Sequence, residues 1–202
     1  QSFDGFLETL TSRKRKAIRK ERREALSDGI EVQWKTGKSI TESDWDVFFE
    51  FYQDTGSRKW GSPYLNRTFF SMVGESMADD ILLMFAVKDG NTIAGALNFI
   101  GANTLFGRYW GCNTHVPYLH FELCYYQAID FAIEHGLARV EAGAQGGHKL
   151  ARGYEPVKTY SAHYVAHPAF RDAIADYLEN EREHVAMDQL EMQDYTPFKK
   201  QD

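Results

Sequence analysis

Cysteine and proline are scarce in this sequence of 202 residues. The two cysteines, Cys112 and Cys124, form no pair with the spacing of metal ligands, so we expect neither a disulfide scaffold nor a structural zinc site. Their number fits buried thiols in a reducing compartment. Five prolines and the lack of any proline- or serine-rich stretch leave no linker that would divide the chain into separate domains.

Long apolar runs are also missing. No stretch approaches the roughly 20 apolar residues that a membrane-spanning helix requires, and no signal peptide opens the chain. We therefore expect a cytoplasmic protein without a membrane span. The chain begins at Gln1 rather than at methionine, which favours a segment of a longer protein. Because 43% of the residues are hydrophobic and 14% aromatic, the composition predicts a globular fold with a substantial core.

Positive charge is concentrated in one segment of an otherwise acidic chain. Residues 13–23 carry eight cations and one anion, whereas the whole chain has a net charge of −6. This balance argues against a general nucleic-acid-binding domain. We predict a helix over residues 2–26, whose basic middle has few apolar positions. It is either a solvated helix that bridges to an upstream segment or a contact for phosphate or RNA, and the sequence favours neither.

Hydrophobic periodicity predicts a mixed α/β (α+β) fold. The predicted strands are 30–35, 81–87, 92–101, 105–112, 138–142 and 158–165; the predicted helices are 2–26, 41–52, 66–77, 119–136, a short basic helix after the turn at 143–147, and one from Pro168 to about Met192. Short connections make strands 81–87, 92–101 and 105–112 antiparallel neighbours, whereas a helical crossover makes 138–142 parallel to 105–112. We assign residues 1–29 to a basic helical lead-in, 30–167 to the main domain, and 168–202 to an acidic helix and tail packed on it.

A glycine-rich turn at residues 143–147 follows the strand that ends near Glu141. Glycine has no Cβ, so such a turn lets the backbone approach a ligand closely. His148, Lys149 and Arg152 follow within a few residues. A carboxylate, an imidazole and two cations at the carboxyl end of a strand suit an acyl-transfer or phosphate-handling site. A polar loop with solvated charges is the alternative, and for any single residue it is the simpler interpretation.

A second candidate loop, residues 54–65, is rich in glycine, proline, aromatic and basic residues. Its side chains suit an anionic or planar substrate, and we assign the acceptor to Arg58 and Trp60. Equally, Trp60 and Tyr64 would serve only to pin the loop to the body of the domain.

Several short motifs resemble a known family. They are Tyr109-Trp110-Gly111 at a strand end, Ile133-Glu134-His135-Gly136 at a helix end, the strand from Val140 to Gly143, Lys149, and Arg152-Gly153-Tyr154. Together with the predicted strand order, these motifs resemble the GNAT superfamily over about residues 30–165. Within it they resemble the Fem-type branch of peptidoglycan-bridge aminoacyltransferases and related predicted bacterial N-acyltransferases. The basic amino-terminal helix is similar to one that precedes the domain in that branch.

The resemblance implies a fold and a donor. It implies a sheet in which the fourth and fifth strands splay apart to admit the acyl donor, and a further GNAT-like half upstream. Ordinary acetyl-CoA enzymes of this fold carry a glycine loop after the fourth strand, whereas residues 113–122 contain no glycine. The Fem-type branch also lacks that loop and uses aminoacyl-tRNA in its best understood members. The resemblance therefore favours aminoacyl-tRNA or an unusual acyl carrier over acyl-CoA, with no tightly bound cofactor.

Acyl transfer to an amine needs a base and a group that stabilises an oxyanion. We assign the base to Glu141, with His120 and Glu122 at the start of a helix as alternatives. The resemblance implies that Lys149 faces the oxyanion or a donor phosphate. A structural ion pair is the competing interpretation of Glu141.

The remaining candidates would bind the donor. Arg152 suits a phosphate or carboxylate because its guanidinium is a planar fork. Gln145, with the amides of Gly146 and Gly147, would align a carbonyl group. Tyr109 and Trp110, on the strand before the splay, complete the predicted donor contacts.

Two functions of different classes remain open. The first is an N-acyltransferase that acts on a small-molecule or peptide amine, with tRNA as a partner if the donor is aminoacyl-tRNA. The second is a non-catalytic GNAT-like module that binds RNA or a partner protein through the basic helix. A further possibility is one half of a two-domain enzyme that is inactive without its upstream half.

Overall fold

The sheet that organises the fold is assembled from strands of the first two thirds of the chain. The structure, a computed structural model, describes residues 2–57, 63–143 and 146–199. Its helices are α1 Phe3–Thr9, α2 Ser12–Ala25, α3 Glu42–Ser57, α4 Arg67–Ser76, α5 Leu119–Phe121, α6 Gln127–Glu134 and α7 Pro168–Gln193, and its strands are β1 Glu31–Thr36, β2 Ile81–Lys88, β3 Asn91–Ile100, β4 Thr104–Cys112 and β5 Arg139–Glu141. A π-helical turn, Glu122–Tyr126, joins α5 to α6.

The strands form one five-stranded sheet in the order β1-β2-β3-β4-β5. The first three pairs are antiparallel, and β4 pairs with β5 in parallel. This confirms the predicted mixed sheet. The β2–β3 hairpin is tight because Asp89 and Gly90 both adopt positive φ, with values of 50° and 76°.

Two apolar layers cover the two faces of the sheet. Side chains alternate along a strand, so neighbouring residues of β2 enter different layers. Met84 packs in the same cluster as Phe131 of α6, on what we call the α6 face. Phe85 packs with Phe48 of α3 and Phe70 of α4, on what we call the α3 face.

The amino-terminal helix differs from the prediction in two ways. Leu10 is fully buried with an extended backbone, which divides the predicted helix over residues 2–26 into α1 and α2. The basic helix α2 is also not solvated on all sides, since Ile18 and Ala25 are buried. Two apolar residues two turns apart are therefore enough to dock it, with help from an ion pair described below.

The predicted strand over residues 158–165 is wrong. Residues 154–166 have no regular secondary structure, and Tyr160 and Tyr164 are 91% and 90% exposed. Alternation of aromatic and polar residues stabilises a strand only where one face is buried and a neighbouring strand is available. The predicted short basic helix is a single 3₁₀ turn, Leu150–Arg152.

The chain forms two compact units, Gln1–Gln145 and Gly146–Asp202. All five strands lie in the first unit, and α7 lies in the second. The assignment of residues 1–29, 30–167 and 168–202 to a lead-in, a main domain and a tail stays a prediction.

Gly111 of β4 is required by the close approach of α3. A Cβ at this position would lie 2.3 Å from the carbonyl oxygen of Phe51. Because Phe51 contributes backbone, the helix itself would have to move. We expect Gly111→Ala to lower the free energy of unfolding by about 1–3 kcal/mol, as overpacking does, measured by urea denaturation.

Gly107, on the same strand, provides the matched control. A Cβ there would meet nothing nearer than 3.4 Å, an ordinary contact distance. Gly107→Ala should therefore change stability much less. Equal losses from the two substitutions would show that the contact with α3 is not the cause.

Candidate active site

Strands β4 and β5 are paired over a short length only. The paired residues are Thr104 with Arg139, Leu105 with Val140, and Phe106 with Glu141. Beyond them β4 continues to Cys112, and no described strand pairs with that side of residues 107–112. We call this side the open edge of β4. The predicted splay between the fourth and fifth strands is therefore present.

A β-bulge lies at the start of the open edge. Leu97 pairs with Tyr109 and Asn98 with Gly107, so Arg108 is an extra residue on β4. An extra residue reverses the alternation of the side chains that follow it. As a result Tyr109 packs in the cluster of the α3 face, and Trp110 packs in that of the α6 face. The two residues predicted to contact the donor thus lie on opposite faces of the sheet.

Three tyrosines and an arginine meet at the open edge on the α3 face. The hydroxyls of Tyr64 and Tyr109 are hydrogen-bonded to each other. The ring of Tyr52 lies 5.2 Å from that of Tyr109, edge to face. The Arg108 guanidinium lies 4.8 Å from the centre of the Tyr109 ring, and its Nη2 donates to the Tyr64 hydroxyl at 3.2 Å.

Tyr109 remains protonated across the physiological pH range. Burial is the main factor that raises its pKa to about 12, and the hydrogen bond with Tyr64 adds to the effect, whereas the charge of Arg108 opposes it. Sequence reasoning named Tyr109 as a donor contact, but it gave no signal that Tyr52, Tyr64 and Arg108 lie beside it.

On the α6 face, Trp110 contacts the predicted alternative base His120. Their rings lie 5.2 Å apart, and the His120 ring lies 5.5 Å from that of Tyr125. His120 is half-buried at the first turn after β4. The structure therefore brings these two predicted site residues together.

Glu141 is the last residue of β5 and is exposed. Its neighbour Val140 packs on the α6 face, so alternation places Glu141 towards the α3 face, as for Tyr109. The predicted alternatives His120 and Glu122 belong to the helical segment on the other face. The three candidate bases thus do not converge on one point, and the role of each stays a prediction.

Glu122 is completely buried in an ion pair that holds α2. Its Oε1 accepts from Arg22 Nη2 at 2.8 Å and from Gln127 Nε2 at 2.7 Å, and Arg22 Nη2 also donates to Asp130 Oδ2 at 2.6 Å. Burial raises the pKa of Glu122, while the hydrogen bond and charge of Arg22 act in the opposite direction. Sequence reasoning missed Arg22, because a cation within a basic run carries no signal that it faces inward.

Asn98 is a polar side chain in the centre of the sheet that sequence reasoning also missed. It is 1% exposed, and its Nδ2 donates to the carbonyl of Leu82 at 3.3 Å. Its Oδ1 lies 3.6 Å from the position that a Cβ on Gly107 would take, and the carbonyl oxygen of Glu141 lies 3.4 Å from the same position. Asn98 therefore lies next to the point at which β4 and β5 separate. An asparagine inside an otherwise apolar strand is the signal that would have found it.

The second unit contains four of the seven predicted donor-binding residues, Gly146, Gly147, Lys149 and Arg152. Gly146 has a φ of +106° and accepts at its carbonyl from the amide of Lys149 at 3.0 Å. Arg152 is buried, and its Nη1 donates to the carbonyl of His148 at 2.8 Å. The turn that carries Lys149 is thus closed by hydrogen bonds of its own. Gly147, next to it, is exposed.

His148 is exposed as a residue, yet partial burial of its ring lowers its pKa, and the charges of Arg152 and Lys149 lower it further. The imidazole is therefore neutral at pH 7.

Three predicted site residues, Arg58, Trp60 and Gln145, lie outside the described residues. Within residues 2–57, 63–143 and 146–199, no group of three or more His, Cys, Asp or Glu side chains is arranged to hold a metal ion. Over the same ranges, no helix combines the length and the apolar character needed to cross a membrane.

A match to a protein-family model shows the family of the chain. The model FemAB_like, described as peptidoglycan biosynthesis/recognition, matches residues 1–200. The chain belongs to the FemAB-like family. This confirms the resemblance to the Fem-type branch. No curated protein sequence matches this FemAB-like chain significantly.

Several solved structures are similar to the FemAB-like chain at low sequence identity. FemX is 14% identical with a TM-score of 0.53, over 68% of this chain and 49% of FemX. L-PGS from Bacillus licheniformis is 11% identical with a TM-score of 0.49, over 65% of this chain and 42% of that protein. An aminoglycoside acetyltransferase from an uncultured soil sample is 10% identical with a TM-score of 0.48, over 70% of this chain and 98% of the enzyme. The FemAB-like chain thus spans about half the length of FemX, and the likeness to FemX concerns the fold.

The buried ion pair leads to a prediction about stability. Arg22→Met leaves the carboxylate of Glu122 buried without its cation, which we expect to lower the free energy of unfolding at pH 7 by about 3–5 kcal/mol. Loss of Arg22 also raises the pKa of Glu122 in the folded chain. The folded protein then binds a proton more readily than the unfolded chain does, so the loss should shrink as the pH falls towards the range where Glu122 is protonated. Urea denaturation at neutral and mildly acidic pH measures both effects.

Arg19→Met is the control on the same helix. Arg19 pairs with Asp4 at 2.9 Å, but the two side chains are 53% and 77% exposed, so we expect a loss of about 0–1 kcal/mol. Comparable losses from Arg19→Met and Arg22→Met would contradict the importance of burial.

The environment of His148 leads to a prediction about titration. Lys149→Gln removes one of the nearby positive charges and should raise the pKa of His148, measured by NMR titration of the ring protons. Because burial and Arg152 remain, the pKa should stay below the ordinary histidine value. The unfolded chain takes up this proton more readily, so the contribution of His148 to stability falls as the pH drops below about 6.5. Lys158→Gln, at an exposed position of the same unit, should leave the titration unchanged; a shift of equal size would refute the local effect of Lys149.

Proposed function

We propose that this chain carries the site of an N-acyltransferase that moves an aminoacyl group from aminoacyl-tRNA to an amine of a peptidoglycan-related acceptor. The observation that supports the proposal most is the open edge of β4, with Tyr109 and Glu141 on the same sheet face, in a FemAB-like chain. An acyl donor that enters beside residues 107–112 would find main-chain groups that no described strand occupies.

The chemistry is the attack of a neutral amine on the ester carbonyl of the donor. A C–N bond forms, the C–O bond to the ribose breaks, and the proton lost by the nitrogen ends on the released ribose hydroxyl. Glu141, exposed at the end of β5, would accept that proton and pass it on. Tyr109, whose pKa of about 12 keeps it protonated, would donate a hydrogen bond on the same face.

The donor contacts predicted from the sequence remain part of the proposal. Lys149 would face the oxyanion or a donor phosphate, and Arg152 would order the turn through its bond to the carbonyl of His148, in addition to the anion contact predicted for it. The amides of Gly146 and Gly147, with Gln145, would align the carbonyl. Arg58 and Trp60 remain the predicted acceptor contacts.

The segment after β4 supports aminoacyl-tRNA over acyl-CoA. A CoA pyrophosphate is bound where glycines let the backbone amides approach it at the start of a helix. Here residues 113–122 contain no glycine, and α5 begins after Tyr118, whose φ is +63°. The helix then continues directly into the π-helical turn Glu122–Tyr126.

A transfer assay tests the proposal. The chain is incubated with radiolabelled aminoacyl-tRNA or acetyl-CoA and with a peptidoglycan precursor that has a free lysine side-chain amine, and the label in the acceptor is measured. Label should move from aminoacyl-tRNA. Glu141→Gln should reduce kcat by about 10²- to 10⁴-fold, as loss of a general base does, without loss of donor affinity.

Glu134→Gln is the matched control, since Glu134 is exposed at the end of α6. Activity of Glu141→Gln equal to that of this control would remove Glu141 from the mechanism. Transfer from acetyl-CoA but not from aminoacyl-tRNA would show that acetyl-CoA is the donor. If neither donor gives transfer while the chain binds RNA, the non-catalytic module becomes the better description.

A further inference from the structure

The outward face of α2 carries a row of cations. Arg13, Lys16, Lys20 and Arg23 are all exposed. Their spacings of three, four and three residues place them on one side of the helix. At a rise of about 1.5 Å per residue the row is about 15 Å long. We call these four residues the α2 stripe.

The inward face of the same helix has a different character. Ile18 and Ala25 are buried, and Arg22 is neutralised by Glu122 and Asp130 at 2.8 and 2.6 Å. The docking of α2 is thus complete without any residue of the stripe. A structural role in holding the helix to the domain does not account for the stripe.

The stripe is also unfavourable for the helix itself. Like charges three and four residues apart repel each other on a helix surface. Lys20 is close to Glu24, at 3.6 Å, whereas none of Arg13, Lys16 and Arg23 forms an ion pair with the described residues. Four exposed cations held in a line on a docked helix therefore form a concentrated positive surface.

We propose that the α2 stripe binds the phosphate backbone of the tRNA that carries the donor. This rests on the proposed function, and it adds the surface that would hold the body of the donor outside the site. The stripe is on the same compact unit as the open edge of β4, because α2 is ion-paired to the helical segment that follows β4.

A phosphate backbone fits the stripe better than a membrane surface does. Helices that lie on membranes present large apolar side chains beside their cations. Among described residues 2–57, no large hydrophobic side chain is exposed, and the apolar side of α2 is used inside the fold. A row of cations without apolar neighbours matches a ligand that offers repeated negative charge only.

Fluorescence anisotropy with purified deacylated tRNA tests the proposal over a range of about 50 to 200 mM salt. The variant with Arg13, Lys16, Lys20 and Arg23 changed to Gln should bind about tenfold or more weakly. The slope of log K against the logarithm of the salt concentration should be less steep by about 3 to 4, or about one for each lost phosphate contact. The KM for aminoacyl-tRNA in the transfer assay should rise by a similar factor.

A second variant carries the same charge change elsewhere. Lys38, Lys158, Arg171 and Arg182 are exposed cations that play no part in the proposal, and all four are changed to Gln. This control should bind tRNA as the wild type does. Circular dichroism melting curves of both variants establish that they are folded. Equal weakening in both variants, or no weakening in the stripe variant, would overturn the proposal.

Sedimentation with vesicles of anionic phosphatidylglycerol provides the other outcome. If the stripe variant loses vesicle binding and keeps tRNA affinity, the stripe is a membrane contact and the proposal is wrong. The two proposals fail separately. If the wild type transfers from aminoacyl-tRNA and the stripe variant keeps its tRNA affinity, only the proposal for the stripe is refuted. If the stripe variant loses tRNA affinity but the wild type shows no transfer, only the proposed function is refuted.

Discussion

Three residue pairs hold β5 to β4, and everything proposed for this chain depends on the pairing ending there. If the parallel ladder continued past Phe106 and Glu141, the main-chain groups of the rest of β4 would be satisfied and nothing could enter. The bulge at Arg108 turns β4 just beyond the last pair. Close packing of α3 on Gly111 holds the far end of the strand in place. The open edge is therefore built into a well-packed part of the sheet.

The bulge also decides which side chains the open edge presents. Without the extra residue, Tyr109 would face α6 and Trp110 would face α3. With it, Tyr109 joins Tyr52 and Tyr64 on the face towards which Glu141 points, and Trp110 meets His120 on the other. A single inserted residue thus sorts two neighbouring aromatic side chains into two different environments. The environment on the α3 face raises the pKa of Tyr109.

The basic helix shows how burial divides residues of one type. Arg22 and Arg23 are adjacent and identical in chemistry, yet Arg22 is enclosed by two carboxylates and Arg23 is exposed. The carboxylate of Glu122 could be removed from water only because a cation lies against it. The same helix therefore combines a neutral inner side that fits the fold with a charged outer side that the fold does not require.

Strand order, strand direction and the family could be predicted from the sequence. Short hairpins force antiparallel neighbours and a helical crossover forces a parallel one, so local patterns determined the sheet from β2 to β5. The motifs around Tyr109, Val140 and Lys149 pointed to the Fem-type branch. The strand over residues 158–165 was wrong, because alternation alone does not supply a partner strand or a buried face.

What the sequence by itself determined is the set of elements and their order, since these follow from periodicity and from the lengths of connections. Only the tertiary structure decided which charged residues are buried, where β4 and β5 part, and that Asn98 lies at that point. Some of these features arise from contacts between residues far apart in the chain, such as Arg22 with Glu122. The facing of the side chains on β4 depends on the bulge at Arg108, which the pattern of hydrophobicity does not reveal.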